Sequence, residues 1–159
     1  PFSGLTIAPS LCRPQSRGFV NINSENPMNY PSINPNYYDC DEDLNLMVKA
    51  YKISKKISET KPLSDFIDTK IGPHKNVDKD DEIKEFIKNF SKTTYHPVGT
   101  CSMGIDKKTS VVDNNLRLHG IKNLRVADAS IMPKIISGNT NSACMMIGEK
   151  CADLIKERL

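Results

Sequence analysis

The clearest pattern of apolar and polar positions lies near the C-terminus. From position 143 onward the apolar residues form one stripe in steps of three or four: Ala143, Met146, Ile147, Cys151, Leu154 and Ile155. This spacing predicts a helix that begins within residues 139–142, where every residue is a good N-cap, and that ends near Arg158. Its first turn would carry free N–H groups and a partial positive charge, which suit an anion. An ordinary amphipathic helix with a polar cap explains the same pattern.

Two further amphipathic helices are predicted before residue 96. The first is predicted at about residues 41–58, with acidic residues in its first turn, and carries these apolar positions: Leu44, Met47, Val48 and Tyr51. The second is predicted at about residues 80–90 and carries this stripe: Ile83, Phe86, Ile87 and Phe90. Both helices begin with acidic residues, which favour a helix N-terminus.

The remaining pattern indicates short strands and irregular segments. Alternation in residues 18–24 predicts a strand with Val20 and Ile22 on a buried face. Residues 26–36 hold three prolines among asparagines and predict no regular structure. Short strand-like pieces follow at residues 111–112, 116–118 and 124–127, separated by turn residues. The fold class is therefore α+β, with an antiparallel sheet and two helices in residues 1–95.

Composition excludes several classes of protein. The 159 residues suffice for one domain with a core, and the net charge of +3 is too small and too evenly spread to predict nucleic-acid binding. No run is long enough to span a membrane. The five cysteines include no C-x-x-C pair, so neither a zinc site nor a disulfide framework is predicted, and Cys144 and Cys151 are expected to be small buried hydrophobic residues. The chain begins with Pro1 rather than Met, and we expect it to be a piece of a longer protein.

One of the three histidines is a candidate for chemistry. His74 lies in a polar loop and is expected to be exposed, whereas His119 precedes a turn glycine and is expected to be structural. His96 differs because Pro97 restricts its backbone and Gly99 permits a close approach to the main chain. A rigidly held imidazole suits a general base. The residues alone leave a structural histidine as the stronger alternative.

Three blocks in order resemble the C-terminal part of the glucose–methanol–choline (GMC) flavoprotein oxidoreductases. They are residues 96–104 (HPVGTCSMG), residues 111–133, and residues 138–155 from Gly-Asn-Thr-Asn through Ile-Gly-Glu-Lys-Cys-Ala-Asp-Leu-Ile. The Ile-, Lys- and Asn-rich chain looks most like the insect glucose-dehydrogenase-like members. By this resemblance residues 1–95 form part of the substrate domain, and residues 96–159 form the catalytic-histidine and FAD-contacting segments. The sequence contains no G-x-G-x-x-G, so the dinucleotide-binding region is absent and the isolated chain is expected to be inactive.

The resemblance implies a reaction and two catalytic residues. His96 matches the base that accepts the alcohol proton while hydride passes to flavin N5, and Asn139 matches the residue that hydrogen-bonds the substrate oxygen. We expect both side chains to come within about 3 Å of one shared point. The implied partners are a small alcohol or sugar and an electron acceptor, either oxygen or a quinone.

The resemblance also implies an FAD site. Asp128 and Ala129 match the segment that contacts the FAD phosphate and ribityl chain. The helix start facing the flavin pyrimidine ring corresponds to three residues: Asn139, Thr140 and Asn141. This agrees with the helix pattern, because free N–H groups there would stabilise negative charge on the reduced flavin. Two alternatives stay open: a member similar to the hydroxynitrile lyases, and a non-enzymatic fragment that uses the fold only for binding.

Overall fold

The computed structural model describes residues 3–73 and 77–157, and regular structure within them is mostly helical. The helices and strands of this described part are β1 (Phe19–Asn21), β2 (Ser32–Asn34), α1 (Asp41–Ser58), α2 (Asp80–Phe90) and α3 (Asn141–Lys156). Two short 3₁₀ turns cover Leu63–Phe66 and Ala129–Ile131. The α+β class and all three predicted helices are confirmed. His74 and Arg158 lie outside the described residues.

The chain divides into two packing units. One comprises residues 1–18 and 35–92, and the other comprises residues 19–34 and 93–159. No helix of the described part combines the length and the apolar character needed to cross a membrane.

The core of the first unit forms between α1 and α2. The buried side chains are Leu44 and Val48 from α1, and Ile83 and Ile87 from α2. These are positions of the predicted stripes, so the helices pack with the faces that their sequences indicate. Phe90 is the exception: it is 63% exposed, although its ring stacks on Phe86 with centroids 4.9 Å apart.

A buried carboxylate fixes the N-terminal segment to the first turn of α1. Asp43 is only 1% exposed, and its carboxylate accepts hydrogen bonds from the backbone N–H of Gln15 (2.8 Å), from the N–H of Ser16 (2.8 Å) and from the Ser16 hydroxyl (2.6 Å). Burial by itself would raise the pKa of Asp43, but the bonds from Ser16 and Gln15 outweigh it and the pKa lies below its usual value. The sequence indicated only a helix-capping acid at this position.

The strand pair β1–β2 corrects two expectations. The strands are antiparallel, with Val20 opposite Ile33, so part of residues 26–36 is regular after all. The prolines cause no conflict because Pro31 and Pro35 flank β2 and leave its three N–H groups intact. The predicted buried face is also wrong: Val20 is 47% exposed and Ile22 89% exposed. Alternation identifies one face of a strand, but burial requires another layer to pack against it.

The second unit has its own core beneath α3. Its buried members come from loops, the 3₁₀ turn and the helix: Val112, Leu116, Ile131, Met132, Ile147 and Cys151. The strands expected at residues 111–112, 116–118 and 124–127 form only isolated bridges, Val112 with Leu118 and Arg117 with Arg125 among them. Leu116, at the start of the second piece, has a positive φ of 64°, and its N–H donates to the Asp113 carbonyl at 2.9 Å, so the chain turns there.

The apolar stripe of α3 is narrower than its spacing predicts. Ile147 and Cys151 are buried, and three neighbours pack against the same core: Ala143, Cys144 and Leu154. Met146 is 59% exposed and Ile155 47% exposed, contrary to the expectation that they complete the stripe. Both cysteines of the helix pack as small hydrophobic residues, but only Cys151 is buried as expected, whereas Cys144 is half-buried.

The buried carboxylate generates a prediction about stability. We expect Asp43→Asn to lower the free energy of unfolding by about 1.5–3 kcal/mol at neutral pH, the usual contribution of hydrogen bonds to a charged group. Since the pKa of Asp43 is lowered on folding, its contribution is present above the ordinary carboxyl pKa of about 3.9 and is lost as pH falls through the lower folded-state value. Denaturant unfolding at several pH values, with amide exchange of Gln15 and Ser16, measures both effects.

Asp41→Asn is the matched control. Asp41 lies in the same first turn but is exposed, so its substitution removes the same charge without the buried bonds. Equal destabilisation by the two substitutions would contradict the role of Asp43.

Candidate active site

His96 is held at a fixed point of the second unit. Its Nδ1 lies 3.0 Å from the hydroxyl oxygen of Thr140, and the histidine is half-buried. Pro97 restricts the backbone on one side of it. On the other side, Tyr95 adopts a left-handed conformation with φ of 61°, which costs a non-glycine residue about 1–2 kcal/mol. The backbone is thus restricted on both sides of His96, and the contact with Thr140 orients the imidazole.

The segment after His96 pairs with the chain that leads to α3. The N–H of Cys101 donates to the Ser130 carbonyl at 2.9 Å, and the N–H of Met103 donates to the Ile131 carbonyl at 2.8 Å. Gly99 has a φ of 92°, and a Cβ placed there would lie 3.3 Å from the Met132 carbonyl oxygen. The close approach expected at Gly99 is therefore made by the protein's own backbone.

The start of α3 is the second part of the candidate site. Thr140 is the N-cap residue and is 8% exposed, yet its side chain makes no capping hydrogen bond. The N–H groups of the first helical turn are consequently not satisfied by this side chain. Asn139 and Asn141 flank Thr140 and are exposed.

The predicted residues are brought together only in part. His96 and Thr140 are in direct contact, and Asn139 is the residue immediately before Thr140. That the Asn139 side chain shares a substrate oxygen with His96 stays a prediction. So does the role of Asn141 beside a cofactor.

Asp128 and Ala129 precede Ser130 and Ile131 of the paired segment. The Asp128 carboxylate is exposed and accepts a hydrogen bond of 2.7 Å from the N–H of Ser130, which caps the 3₁₀ turn at Ala129–Ile131. Ala129 is half-buried and packs against the core beneath α3. Both residues thus have an observed structural role, and their predicted contacts with FAD stay a prediction.

His119 is structural, as expected. Its Nε2 lies 3.1 Å from the Gly104 carbonyl oxygen and 3.2 Å from the hydroxyl of Ser110. The Ser110 hydroxyl itself donates to the Asp106 carbonyl at 2.6 Å, so this serine has no nucleophilic arrangement. Within the described ranges, no cluster of three or more His, Cys, Asp or Glu side chains could hold a metal ion.

Sequence reasoning missed the contact that defines the site. Thr140 was assigned to a cofactor-facing helix start, and the pattern did not indicate that its hydroxyl meets His96. The contact joins residues 44 positions apart, and local spacing carries no signal for such a pair. The left-handed Tyr95 was missed as well, because tyrosine is not a residue that favours positive φ.

Comparison with known proteins assigns the chain to a family. The family model described as GMC oxidoreductase matches residues 14–148. The chain is 42% identical over 146 residues to the alcohol dehydrogenase [acceptor] of Pseudomonas putida, covering 92% of this chain and 26% of that protein. It is equally similar, over 144 residues, to the oxygen-dependent choline dehydrogenase of Escherichia coli, covering 91% of this chain and 26% of that protein.

Solved structures agree. Formate oxidase of Aspergillus oryzae, in a variant studied for its effect on FAD modification, superposes with a TM-score of 0.88 at 34% identity, covering 93% of this chain and 26% of that one. Pyridoxine 4-oxidase from Mesorbium loti superposes with a TM-score of 0.83 at 34% identity, covering 89% of this chain and 28% of that one. The chain belongs to the GMC oxidoreductase family and corresponds to its C-terminal region. It spans about a quarter of the length of the relatives it matches.

The backbone contact at Gly99 generates a prediction. We expect Gly99→Ala to destabilise the second unit by at least the roughly 1–2 kcal/mol that a left-handed non-glycine residue costs. The Met132 carbonyl must also move aside, and this adds to the loss. Thermal unfolding of the protein that carries this chain measures the difference.

Gly120→Ala separates the two contributions. Gly120 has a similar φ of 82°, but an added Cβ would meet no atom of the described residues within 4 Å. We therefore expect Gly120→Ala to be the milder substitution. Equal losses at both glycines would show that the approach to Met132 is unimportant.

Proposed function

We propose that the chain is the C-terminal part of an FAD-dependent oxidoreductase that oxidises an alcohol by proton abstraction and hydride transfer to flavin N5. The observation that carries the proposal is the hydrogen bond of 3.0 Å between His96 Nδ1 and the Thr140 hydroxyl, which brings an imidazole to the N-terminal end of α3. A base beside a helix N-terminus suits a reaction in which a proton leaves the substrate and negative charge develops nearby.

The residues at the start of α3 fit the flavin. The Thr140 side chain makes no capping bond to the N–H groups of the first turn, and Asn139 and Asn141 are exposed beside them. Free N–H donors and the helix dipole favour the electron-rich edge of a flavin. Bound FAD would supply the hydride acceptor. In this proposal the exposed Asp128 and the adjoining Ala129 contact its phosphate and ribityl chain, with Asn139, Thr140 and Asn141 at the ring.

His96 acts on the alcohol proton. Its Nδ1 is engaged by Thr140, so Nε2 is the ring atom available to a substrate hydroxyl. The bond to Thr140 orients the imidazole, and a fixed direction lowers the entropy cost of reaching the reacting geometry. In our proposal the amide of Asn139 donates to the same substrate oxygen and orients it.

The substrate and the acceptor belong to the same proposal. The relatives described above are named as alcohol, choline, formate and pyridoxine enzymes, two of them oxidases, one oxygen-dependent and one acceptor-dependent. For this protein we propose a small alcohol or sugar, with oxygen or a quinone as acceptor. A closer affinity to insect glucose-dehydrogenase-like members rests on the Ile-, Lys- and Asn-rich composition alone, since the relatives named are bacterial and fungal.

We assign residues 1–95 to the substrate domain and 96–159 to the catalytic and FAD-contacting part.

The first test is removal of the base. In the full-length protein, His96→Ala should lower turnover by about 10²–10⁴-fold, the usual contribution of a positioned base, while the flavin stays bound. Alcohol-dependent bleaching of the flavin under anaerobic conditions follows the reaction directly, and its absence in the unsubstituted protein would favour a lyase instead.

His119→Ala is the control for losing a histidine. It should reduce stability, because the bonds to Gly104 and Ser110 are lost, yet leave the turnover of the folded protein unchanged. Near-normal turnover in His96→Ala would remove His96 from the mechanism.

The second test concerns Asn139. Asn139→Ala should lower turnover, because the substrate oxygen loses a donor, whereas Asn139→His should retain more activity since imidazole can also donate. Asn139 is exposed, so neither substitution should affect folding. Steady-state kinetics of the full-length protein distinguishes the two variants, and equal activity of both with the unsubstituted protein would exclude this residue.

A further inference from the structure

The Thr140 hydroxyl does not perform the task that its position suggests. An N-cap threonine ordinarily accepts a hydrogen bond from the N–H of the second or third helical residue, which stabilises the helix by roughly 1 kcal/mol. Thr140 makes no such bond, and its backbone has φ of −78° and ψ of −10° rather than the extended values usual at an N-cap. The hydroxyl points to His96 instead, at 3.0 Å from Nδ1. A buried polar group has been directed away from its local partners and toward the imidazole.

We propose that Thr140 is a positioning residue: its hydroxyl oxygen accepts the Nδ1–H of His96 and thereby leaves the Nε2 lone pair free for the substrate. This inference rests on the proposed role of His96 as the base. Of the two possible directions of the bond, the opposite one would place a proton on Nε2 and block that role. Threonine oxygen as the acceptor is the direction compatible with proton abstraction.

The hydrogen bond from His96 Nδ1–H to the Thr140 oxygen keeps its direction during the proton transfer. When the alcohol O–H bond breaks, its electron pair stays on oxygen, and the Nε2 lone pair forms a new N–H bond. The ring is then a cation with N–H groups on both nitrogens, and Nδ1–H still donates to Thr140 without any rotation of the hydroxyl. A partner that needs no reorganisation during the reaction is the arrangement that lowers a barrier.

The position of the hydroxyl is set by the core rather than by a loop. Thr140 is 8% exposed and β-branched, which restricts its side chain to few rotamers. Its carbonyl accepts the N–H of Cys144 at 2.9 Å, so the residue is part of the first turn of α3. That helix is in turn fixed by the buried side chains Ile147 and Cys151. The imidazole thus contacts a residue that the packed helix holds in place.

Thr140→Val and Thr140→Ser test the inference in the full-length protein. Valine keeps the branched shape but removes the acceptor, and we expect kcat to fall by about 10- to 100-fold, the effect typical of losing the residue that orients a metal-bound imidazole. KM should change far less than kcat, with kcat expressed per bound flavin. Serine restores the oxygen and should restore kcat. If Thr140 served only the fold, kcat of Thr140→Val would equal or exceed kcat of Thr140→Ser.

Thr94→Val is the matched control, since Thr94 is an exposed threonine two residues before His96 and should tolerate the same change. The inference is overturned if Thr140→Val keeps normal kcat. It is also overturned if that variant fails to fold and Thr140→Ser does not restore kcat per bound flavin, because Thr140 would then serve the fold. His96→Ala distinguishes failure of the proposed function from failure of this inference. Normal turnover of His96→Ala would refute the proposed function. Impaired turnover of His96→Ala together with normal kcat of Thr140→Val would refute only the role of Thr140.

Discussion

The backbone pairing between residues 101–103 and residues 130–131 is the constraint on which the candidate site depends. Two main-chain hydrogen bonds join the segment that follows His96 to the segment that leads into α3. Main-chain bonds fix position independently of side-chain rotamers, so they determine where both segments lie before any side chain is placed. The contact between His96 and Thr140 is possible because this pairing has already brought the two segments into one unit.

The two units use different physical means to order their loops. In the first unit, the buried carboxylate of Asp43 accepts hydrogen bonds from Gln15 and Ser16, so an ionised side chain orders a segment that has no regular secondary structure. In the second, apolar side chains from loops, Val112 and Leu116 among them, fill the space under α3. The first arrangement depends on the charge of Asp43, and the second on shape and apolar area. A charged anchor is sensitive to pH, whereas the apolar core is not.

Sequence reasoning succeeded where structure is set by neighbours in the chain. The helices α1, α2 and α3 were predicted within a residue or two because their stripes and polar starts are local features. It failed for the burial of Val20 and Ile22, since burial depends on what packs against a strand. The site shows the same division: His96 was singled out through Pro97 and Gly99, but its partner at Thr140 could not be found because the contact is long-range.

The exposed β1–β2 ribbon has a practical consequence for anyone who produces these 159 residues by themselves. Val20, Ile22 and Ile33 are 47%, 89% and 65% exposed, and within the described residues each strand of this ribbon pairs in a sheet only with the other strand. Apolar side chains beside an open edge form a template for pairing between molecules. Solutions of the chain alone should therefore be handled dilute and checked for self-association, and lysine at position 22 would be a rational solubilising change.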